Sequence, residues 1–378
     1  MRALSITLQQ IWSVLSKQLE VLPAAEGATE EMTFVDTEER DDTKLAGDDV
    51  VVQSILENPK PDWQYREVRP IPRSEKHFFR YFLDGSYRHY FLATGLENDR
   101  STPIFLAQIA IVVVERDNAG KLSIVRDFKR HQWFLLLAKS QVSNAAWKQI
   151  EDSTRKAQID IKLQDLSEVD PLSGDKSDPA ALREKGRGKT RYLMSTMEFD
   201  LASKFKERFP EGWIAKDGLI SLGKAGKGMR VPQIIGIAKS FTTNQQFTVG
   251  GVKKRESLAS LLNALPAYHR TPAFEGYQGN TAFWFLRLRK SQELLYPLFG
   301  VIKVEIPVLE EQPLTTELLD EISGALLAEQ SVTPYGSDDR WHSHLYPIYQ
   351  AEHAAKGLFS STEVIQGCIN CALRSRLI

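Results

Sequence analysis

The stretch at residues 80–95, RYFLDGSYRHYFLATG, opens the part of the chain that decides the fold. Its many aromatic residues are typical of a β-strand, and we expect Asp84, Gly85 and Ser86 to interrupt that strand in the middle. A carboxylate inside an apolar strand is costly to bury unless another group compensates its charge. The sequence therefore raises the question of what pairs with Asp84.

The residues after this stretch continue the β pattern. PIFLAQIAIVVVERD (103–117) and KLSIVRDF (121–128) are rich in β-branched residues, and short polar segments separate the three runs. Three successive strands with short connections predict an antiparallel meander, because neighbours along the chain usually pair.

Farther along the chain, predicted helices and strands alternate. Periodicity predicts helices at 1–22, 128–165, 191–208, 314–329, 347–358 and 361–375, and a polar loop at 166–190. Further strands are expected within 212–220, 232–241, 281–290 and 299–309. These elements predict an α/β fold in which a central mixed sheet is flanked by helices.

The chain divides into three parts. Residues 1–25 form an N-terminal amphipathic helix, because leucine and isoleucine recur at spacings of three and four. Residues 26–60 are expected to be an acidic linker, since 26–50 contains ten acidic residues and only two basic ones. Residues 61–378 form the main domain, in which about 128–190 is interpreted as a helical insertion.

The composition is that of a globular protein without a strong overall charge. The net charge of the 378 residues is −1, so a nucleic-acid site would have to be a local basic patch. No run of 18 apolar residues occurs, and polar residues break up the first 22, which excludes a typical signal peptide. We therefore expect a cytoplasmic location and no membrane contact.

Five acidic or imidazole positions are candidates for a metal site. Asp84 and Asp217 both precede a glycine in a predicted strand, and Glu198 lies in a predicted helix beside its apolar stripe. A later helix, opened by Pro347, carries Glu352 and His353 in its first turns. If these groups converge, hard divalent cations are the expected ligands, and two ions about 4 Å apart would suit displacement at phosphorus.

Two other motifs carry less weight. Gly218, Gly223 and Lys224 superficially match a phosphate-binding loop, but the next residue is Ala225, where that motif needs a hydroxyl for magnesium. Cys368 and Cys371 form a CxxC without a second cysteine pair, and their helical context favours buried structural thiols.

Several polar residues near these strands are candidates for phosphate binding. Lys239 follows a strand, so it either holds a phosphate or is a solvated lysine at a strand end, and Ser86 either contacts substrate or stabilises a turn. Among the basic patches, the segment after Asp217 that contains Lys224, Lys227 and Arg230 is preferred. The alternatives are EKGRGKTR (184–191) and the basic residues at 253–255.

The order of these motifs resembles that of the NurA nucleases over roughly residues 78–358. The matching segments are FLDGSYR (82–88), IAKDGLI (214–220), IIGIAKSF (234–241) and LYPIYQAEHAAK (345–356). The resemblance implies an RNase H-like core that processes DNA ends together with the hexameric translocase HerA. It also implies that manganese or magnesium is the cofactor.

The resemblance implies a specific ligand set. The family's metal-binding positions carry over to Asp84, Glu198, Asp217 and His353. Glu352 is the alternative to His353, because the spacing after Pro347 departs slightly from the family's pattern. The stand-ins for the helical glutamate are Glu184 and Asp200.

The resulting hypothesis is a metal-dependent DNA nuclease. Its expected partners are DNA, a HerA-type hexameric ATPase and a second copy of the chain, in DNA repair or in defence against phage. A non-catalytic assembly subunit with the same fold is the main alternative. A nucleic-acid-guided nuclease is a third, although 378 residues leave little room for a guide-anchoring domain.

Overall fold

The fold is a large mixed sheet with helices on both faces. A computed structural model describes residues 2–24, 29–30, 51–52, 54–72, 77–167, 179–220, 230–241, 243, 246–247, 256–276, 279–290, 298–330 and 341–374. The helices of these ranges are α1 (Arg2–Gln18), α2 (Asn144–Arg155), α3 (Pro179–Arg208), α4 (Leu258–Ala264), α5 (Thr316–Glu329), α6 (Tyr346–Lys356) and α7 (Thr362–Arg374). Short 3-10 turns occupy Lys139–Gln141 and Trp341–Ser343.

The strands are more numerous than the sequence predicts. Those before α3 are β1 (Glu20–Pro23), β2 (Thr29–Glu30), β3 (Val51–Val52), β4 (Arg66–Glu67), β5 (Phe79–Glu97), β6 (Arg100–Arg116), β7 (Leu122–Leu137) and β8 (Ile161–Asp165). Those after it are β9 (Trp213–Asp217), β10 (Ile234–Ala238), β11 (Gln246–Phe247), β12 (Glu256–Ser257), β13 (His269–Arg270), β14 (Phe274–Glu275), β15 (Thr281–Arg287) and β16 (Val301–Pro307).

The main sheet has the strand order β4-β13-β15-β16-β10-β9-β5-β6-β7-β8, with β1, β2 and β14 paired beside this path. As predicted, β5, β6 and β7 form an antiparallel meander. The strand β9 runs parallel to both β5 and β10. Because Leu83 pairs with Lys216, the carboxyl end of β9 lies beside the middle of β5.

The two faces of the sheet are covered by different helices. On one face, α3 packs Leu201 and Phe205 against Leu83 and other residues of the meander. On the other face, residues of α5 and α6, among them Ile322 and Ile348, pack with Phe82. A polar group between these layers is therefore shielded from water from both sides.

Three expectations about the chain are wrong. The strand β5 is not interrupted, because Asp84, Gly85 and Ser86 pair continuously with β6. The first part of the proposed helical insertion, up to Leu137, belongs to β7 and extends the meander. The expected loop at 166–190 ends earlier, because α3 begins at Pro179, a residue type favoured in the first helical turn.

The N-terminal helix is part of the core. The apolar side of α1, with Leu8, Ile11 and Leu15, is buried in one cluster with residues of β5, α2 and α7. Most of the acidic linker, like Lys224 and Lys227, falls outside the described residues. Within the ranges given above, no helix is both long and apolar enough to cross a membrane.

Candidate functional site

The candidate site lies where β9 ends against β5. Asp84 follows Leu83, the last residue of β5 that pairs with β9, and Asp217 is the last residue of β9. Partners in a parallel ladder share a face of the sheet, so the two carboxylates lie side by side. The prediction that these two positions converge therefore agrees with the geometry.

Asp84 is a buried carboxyl group in an acidic environment. The residue is only 3% exposed, and its Oδ2 has no hydrogen-bond donor among the described residues. Burial raises the pKa of Asp84 well above its ordinary value, and the charges of Asp217 and Glu352 raise it further, whereas Lys239 lowers it. The group therefore requires either a proton or an additional cation nearby.

Asp217 is only partly neutralised. Lys239 Nζ lies 2.9 Å from Asp217 Oδ2. The other oxygen, Oδ1, is buried and accepts no hydrogen bond from any residue that the structure describes. Lys239 thus lies at the cluster, as the sequence predicted, but its direct contact is with a carboxylate.

The helix α6 contributes Glu352 rather than His353. Glu352 is half-buried and close enough to Asp84 for its charge to raise the pKa of that group. Burial acts to raise the pKa of Glu352 itself, but Lys239, Lys356 and His344 outweigh burial and lower it. His353 is exposed and packs on Tyr349, with 4.3 Å between ring centroids, so it is not brought to the cluster.

Glu198 approaches the same region from α3. The residue is 2% exposed, and its Oε2 forms an ion pair of 2.8 Å with Lys216 Nζ. Burial raises the pKa of Glu198, while Lys216 and the backbone N–H of Gly85 lower it. The exposed residues Glu184 and Asp200, considered as substitutes, do not reach the cluster.

Gly85 explains how Glu198 comes so close to the strand. A Cβ atom at this position would lie 2.7 Å from Glu198 Oε1 and 3.1 Å from Met194 Cγ. The glycine therefore provides room for a carboxylate, not a break in the strand. Lys216 also donates to the carbonyl oxygen of Asp217 at 2.5 Å, which ties the Glu198 contact to the end of β9.

Together these residues form what we call the carboxylate cluster: Asp84, Asp217 and Glu352 with Lys239 on the α6 face of the sheet, and Glu198 with Lys216 behind them on the α3 face. Three of the four acids have a lysine partner, Lys216, Lys239 or Lys356, and Asp84 has none among the described residues. Within the described ranges, however, no three Asp, Glu, His or Cys side chains are arranged so that they could hold a metal ion. Lysines instead engage Glu198, Asp217 and Glu352 directly.

The donor atoms nevertheless suit a hard divalent cation. Asp84 Oδ2 and Asp217 Oδ1 are buried carboxylate oxygens without a hydrogen-bond donor in the described part of the chain, and such oxygens are the ligands that Mg²⁺ and Mn²⁺ prefer. The excess of negative charge is the electrostatic condition for binding such an ion. The residues therefore fit the expected cofactor in chemistry.

Ser86 and Arg230, two of the residues predicted to bind substrate, do not contact the carboxylate cluster directly. Ser86 alternates with Gly85 and so shares the face of Asp84, two residues farther along β5. Arg230 precedes β10 and hydrogen-bonds Asn280. Lys239 directly follows β10, about 16 Å along the chain from Ile234, so Arg230 lies at the opposite end of this strand from the cluster.

Two residues of the site were missed by the sequence reasoning. Lys216 is buried although it is charged, and the signal was its position inside the short apolar strand WIAKD. His344 is buried, lies close enough to Glu352 to lower the pKa of that group, and precedes α6. A charged residue at a buried strand position indicates a buried partner of opposite charge.

The sequence comparisons add no assignment. No protein-family model matches the chain, and no curated protein sequence matches it.

Proposed function

We propose that this protein is a divalent-metal-dependent deoxyribonuclease with an RNase H-like core. The observation that carries the proposal is the unbalanced charge of the carboxylate cluster, centred on Asp84, whose buried oxygen lacks a donor among the described residues. A site with excess buried negative charge binds a divalent cation favourably and places it beside a fixed polar framework.

The arrangement of the strands supports this fold assignment. The antiparallel β5–β7 meander continues into parallel β9 and β10, and the helix α3 precedes β9 on one face. Asp84, Glu198 and Asp217 occupy the first strand, the helix and the next parallel strand, which is the order implied by the resemblance to the NurA nucleases.

Each residue has a defined role in the proposed reaction. Asp84 and Asp217 would hold one or two Mg²⁺ or Mn²⁺ ions, with Glu352 on the α6 side in place of His353. When bound there, such an ion would supply an activated water and a positive charge for the leaving oxygen. Lys239 provides a positive charge 2.9 Å from Asp217, where it can bind the scissile phosphate. Glu198 and Lys216 hold the end of β9 against β5.

The test is a cleavage assay on linear DNA with Mn²⁺ or Mg²⁺. Asp84→Asn and Asp217→Asn should each reduce the rate more than roughly 100-fold, because each removes a negatively charged ligand. Asp127→Asn is the matched control, since Asp127 is exposed and pairs with Arg208 at 2.8 Å. Mn²⁺ should also raise the melting temperature of the wild type but not of Asp84→Asn. Full cleavage by both site variants would refute the proposal.

A non-catalytic assembly subunit is the second candidate. It is favoured by the two lysine ion pairs, which neutralise Glu198 and part of Asp217 without any metal. In that case Mn²⁺ would neither stabilise the protein nor support cleavage, and Asp84→Asn would leave partner binding unchanged. The same assay and melting curves therefore separate the two functions.

The proposed partners are DNA, a HerA-type hexameric ATPase and a second copy of the chain, in DNA-end processing for repair or for defence against phage. The apolar side of α1 is buried against α2 and α7, so a partner of this helix would have to contact its polar side. Sedimentation of the intact protein alone and with such an ATPase tests both assemblies.

A further inference from the structure

Lys239 places a positive charge among the acids on the α6 face of the carboxylate cluster. Its Nζ lies 2.9 Å from Asp217 Oδ2, and its side chain is only 6% exposed. Burial acts to raise the pKa of Asp84 and of Glu352, whereas the charge of Lys239 acts to lower both. One buried ammonium group therefore interacts with all three acids of this face, as a bound cation would.

The fourth acid of the cluster, Glu198, approaches the sheet from the opposite face. Its partner Lys216 directly precedes Asp217 in β9, and adjacent residues of a strand point to opposite faces. Glu198 Oε1 also lies so close to Gly85 that a Cβ atom there would be 2.7 Å away. The backbone of the two strands therefore lies between Glu198 and an ion bound by Asp84 and Asp217.

The carboxylate oxygens that remain on the α6 face suit one metal ion. Lys239 contacts Asp217 Oδ2, and Lys356 Nζ lies 2.6 Å from Glu352 Oε1. Asp84 Oδ2 and Asp217 Oδ1 are buried and accept no hydrogen bond from the residues that the structure describes. Two such oxygens match the usual binding of Mg²⁺, which takes one or two carboxylates and keeps several waters.

The balance of charge on the α6 face also favours one ion. Three carboxylates and the ammonium of Lys239 leave two negative charges, which a single divalent cation neutralises. Lys356 is half-exposed, so water screens its charge. A second divalent cation would leave a positive excess in a largely buried region and would be repelled by Lys239 at short range.

We propose that the carboxylate cluster binds a single divalent cation through Asp84 and Asp217, and that the ammonium of Lys239 takes the place of the second cation of a two-metal site. The second ion of such a site lies about 4 Å from the first and shares a carboxylate with it. Lys239 has this relation to Asp217, since it contacts one oxygen and leaves the other for the metal. The inference rests on the proposed function for the presence of a metal and adds the number of ions.

Electron paramagnetic resonance of Mn²⁺ tests the number of ions, because two Mn²⁺ ions about 4 Å apart give a spin-coupled spectrum and a single bound ion does not. The intact protein is titrated with Mn²⁺, alone and with deoxyadenosine monophosphate as a probe that carries a phosphate. The wild type should bind one ion without a coupled signal. Lys239→Met should gain a second ion and the coupled signal, whereas Lys239→Arg, which keeps the charge, should resemble the wild type.

Lys129→Met is the matched control. Asp84 pairs with Val112, which pairs with Lys129, so this variant removes the same charge from an exposed residue about 10 Å from Asp84 across the sheet. It should bind one ion, as the wild type does. Melting curves show which variants fold, and Lys239→Gln replaces Lys239→Met if the latter does not.

The outcomes separate this inference from the proposed function. A coupled pair of Mn²⁺ ions in the wild type, with or without the nucleotide, would overturn the inference and leave the metal-dependent nuclease standing. A coupled pair that is absent from the uncharged Lys239 variant, or that also appears in Lys129→Met, would show that Lys239 does not take the place of an ion. If the wild type binds no Mn²⁺, the proposed function fails and the inference fails with it.

Discussion

Two of the groups of buried charges in the described part of the chain differ in their balance. Around Arg270, two arginines face two acids: Arg270 binds Glu57 at 2.8 and 3.0 Å and Asp320 at 2.7 Å, and Arg66 binds Asp320 at 2.6 Å. In the carboxylate cluster, Lys216, Lys239 and Lys356 pair with three of the four acids, and burial together with neighbouring acids raises the pKa of the fourth, Asp84.

The difference separates a structural role from a functional one. The network around Arg270 connects the segment before β4 to β13 and α5, and nearly every polar atom of Arg270 has a partner. Such an arrangement holds one conformation and has no capacity for another ion. The carboxylate cluster retains unsatisfied negative charge, which is unfavourable for folding but favourable for binding a cation.

The mutation with the largest expected effect removes one acid from the balanced group around Arg270. Glu57→Gln should lower the free energy of unfolding by about 3–5 kcal/mol, because it leaves the fully buried Arg270 without its bidentate partner. Urea unfolding measures this loss. The control Glu310→Gln, at an exposed position, should stay within about 0.5 kcal/mol of the wild type. A loss for Glu57→Gln as small as that of the control would contradict a structural role.

In the carboxylate cluster, by contrast, removing a charge is expected to stabilise the protein. Without divalent metal at neutral pH, Asp84→Asn should raise the free energy of unfolding by about 1–3 kcal/mol, because it removes a buried charge. The folded pKa of Asp84 is raised above its ordinary value of 3.8, so the wild type loses stability as pH rises from about that value toward the raised pKa.

Urea midpoints across a pH series in EDTA test this expectation. The stability difference between Asp84→Asn and the wild type should grow as pH rises through the window of the Asp84 titration. A destabilisation as large as that of Glu57→Gln would show that the two groups of charges do not differ in balance.

A smaller effect is expected at the contact between β5 and α3. Gly85→Ala should destabilise the protein by about 1–2 kcal/mol, because the new Cβ would lie 2.7 Å from Glu198 Oε1, which is buried and ion-paired with Lys216. Gly188→Ala is the control, since a Cβ there meets nothing within 4 Å and should add about 0.5–1 kcal/mol through helix propensity. Thermal unfolding should show a lower melting temperature for Gly85→Ala and a higher one for Gly188→Ala. Unchanged stability of Gly85→Ala would show that the side chain of Glu198 can move away from the new Cβ atom.

The smallest expected effect is on the pH dependence of stability and comes from His89, a buried base beside two arginines. The pKa of His89 is lowered from 6.5 to about 3, by burial and by Arg187 and Arg183, so the unfolded chain binds a proton that the folded one does not. Stability should therefore fall by about 1 kcal/mol between pH 6.5 and pH 5.5 from this group alone. His89→Gln should remove that part of the slope in urea unfolding. An identical slope in both proteins would contradict the assignment.

Much of the fold and part of the site could be predicted from the sequence. Long apolar runs with short polar connections were sufficient for the β5–β7 meander, because local pairing needs no distant partner. The glycine after Asp84 and after Asp217 correctly marked the two carboxylates that meet. The second half of β7, residues 129–137, was missed because its polar and apolar residues do not alternate, and only pairing with β6 defines it as a strand.

The remaining features depend on contacts between distant parts of the chain. Glu352 and His353 differ by one residue, or about 100° around α6, and only the packing of α6 on β5 and β6 decides which of them faces Asp84. Likewise, no local pattern pairs Lys216 with Glu198, because α3 and β9 meet only when both pack on β5. The sequence by itself determined the kinds of elements and most of the acidic residues. The tertiary structure decided how their charges are balanced, because that balance depends on distances across the sheet.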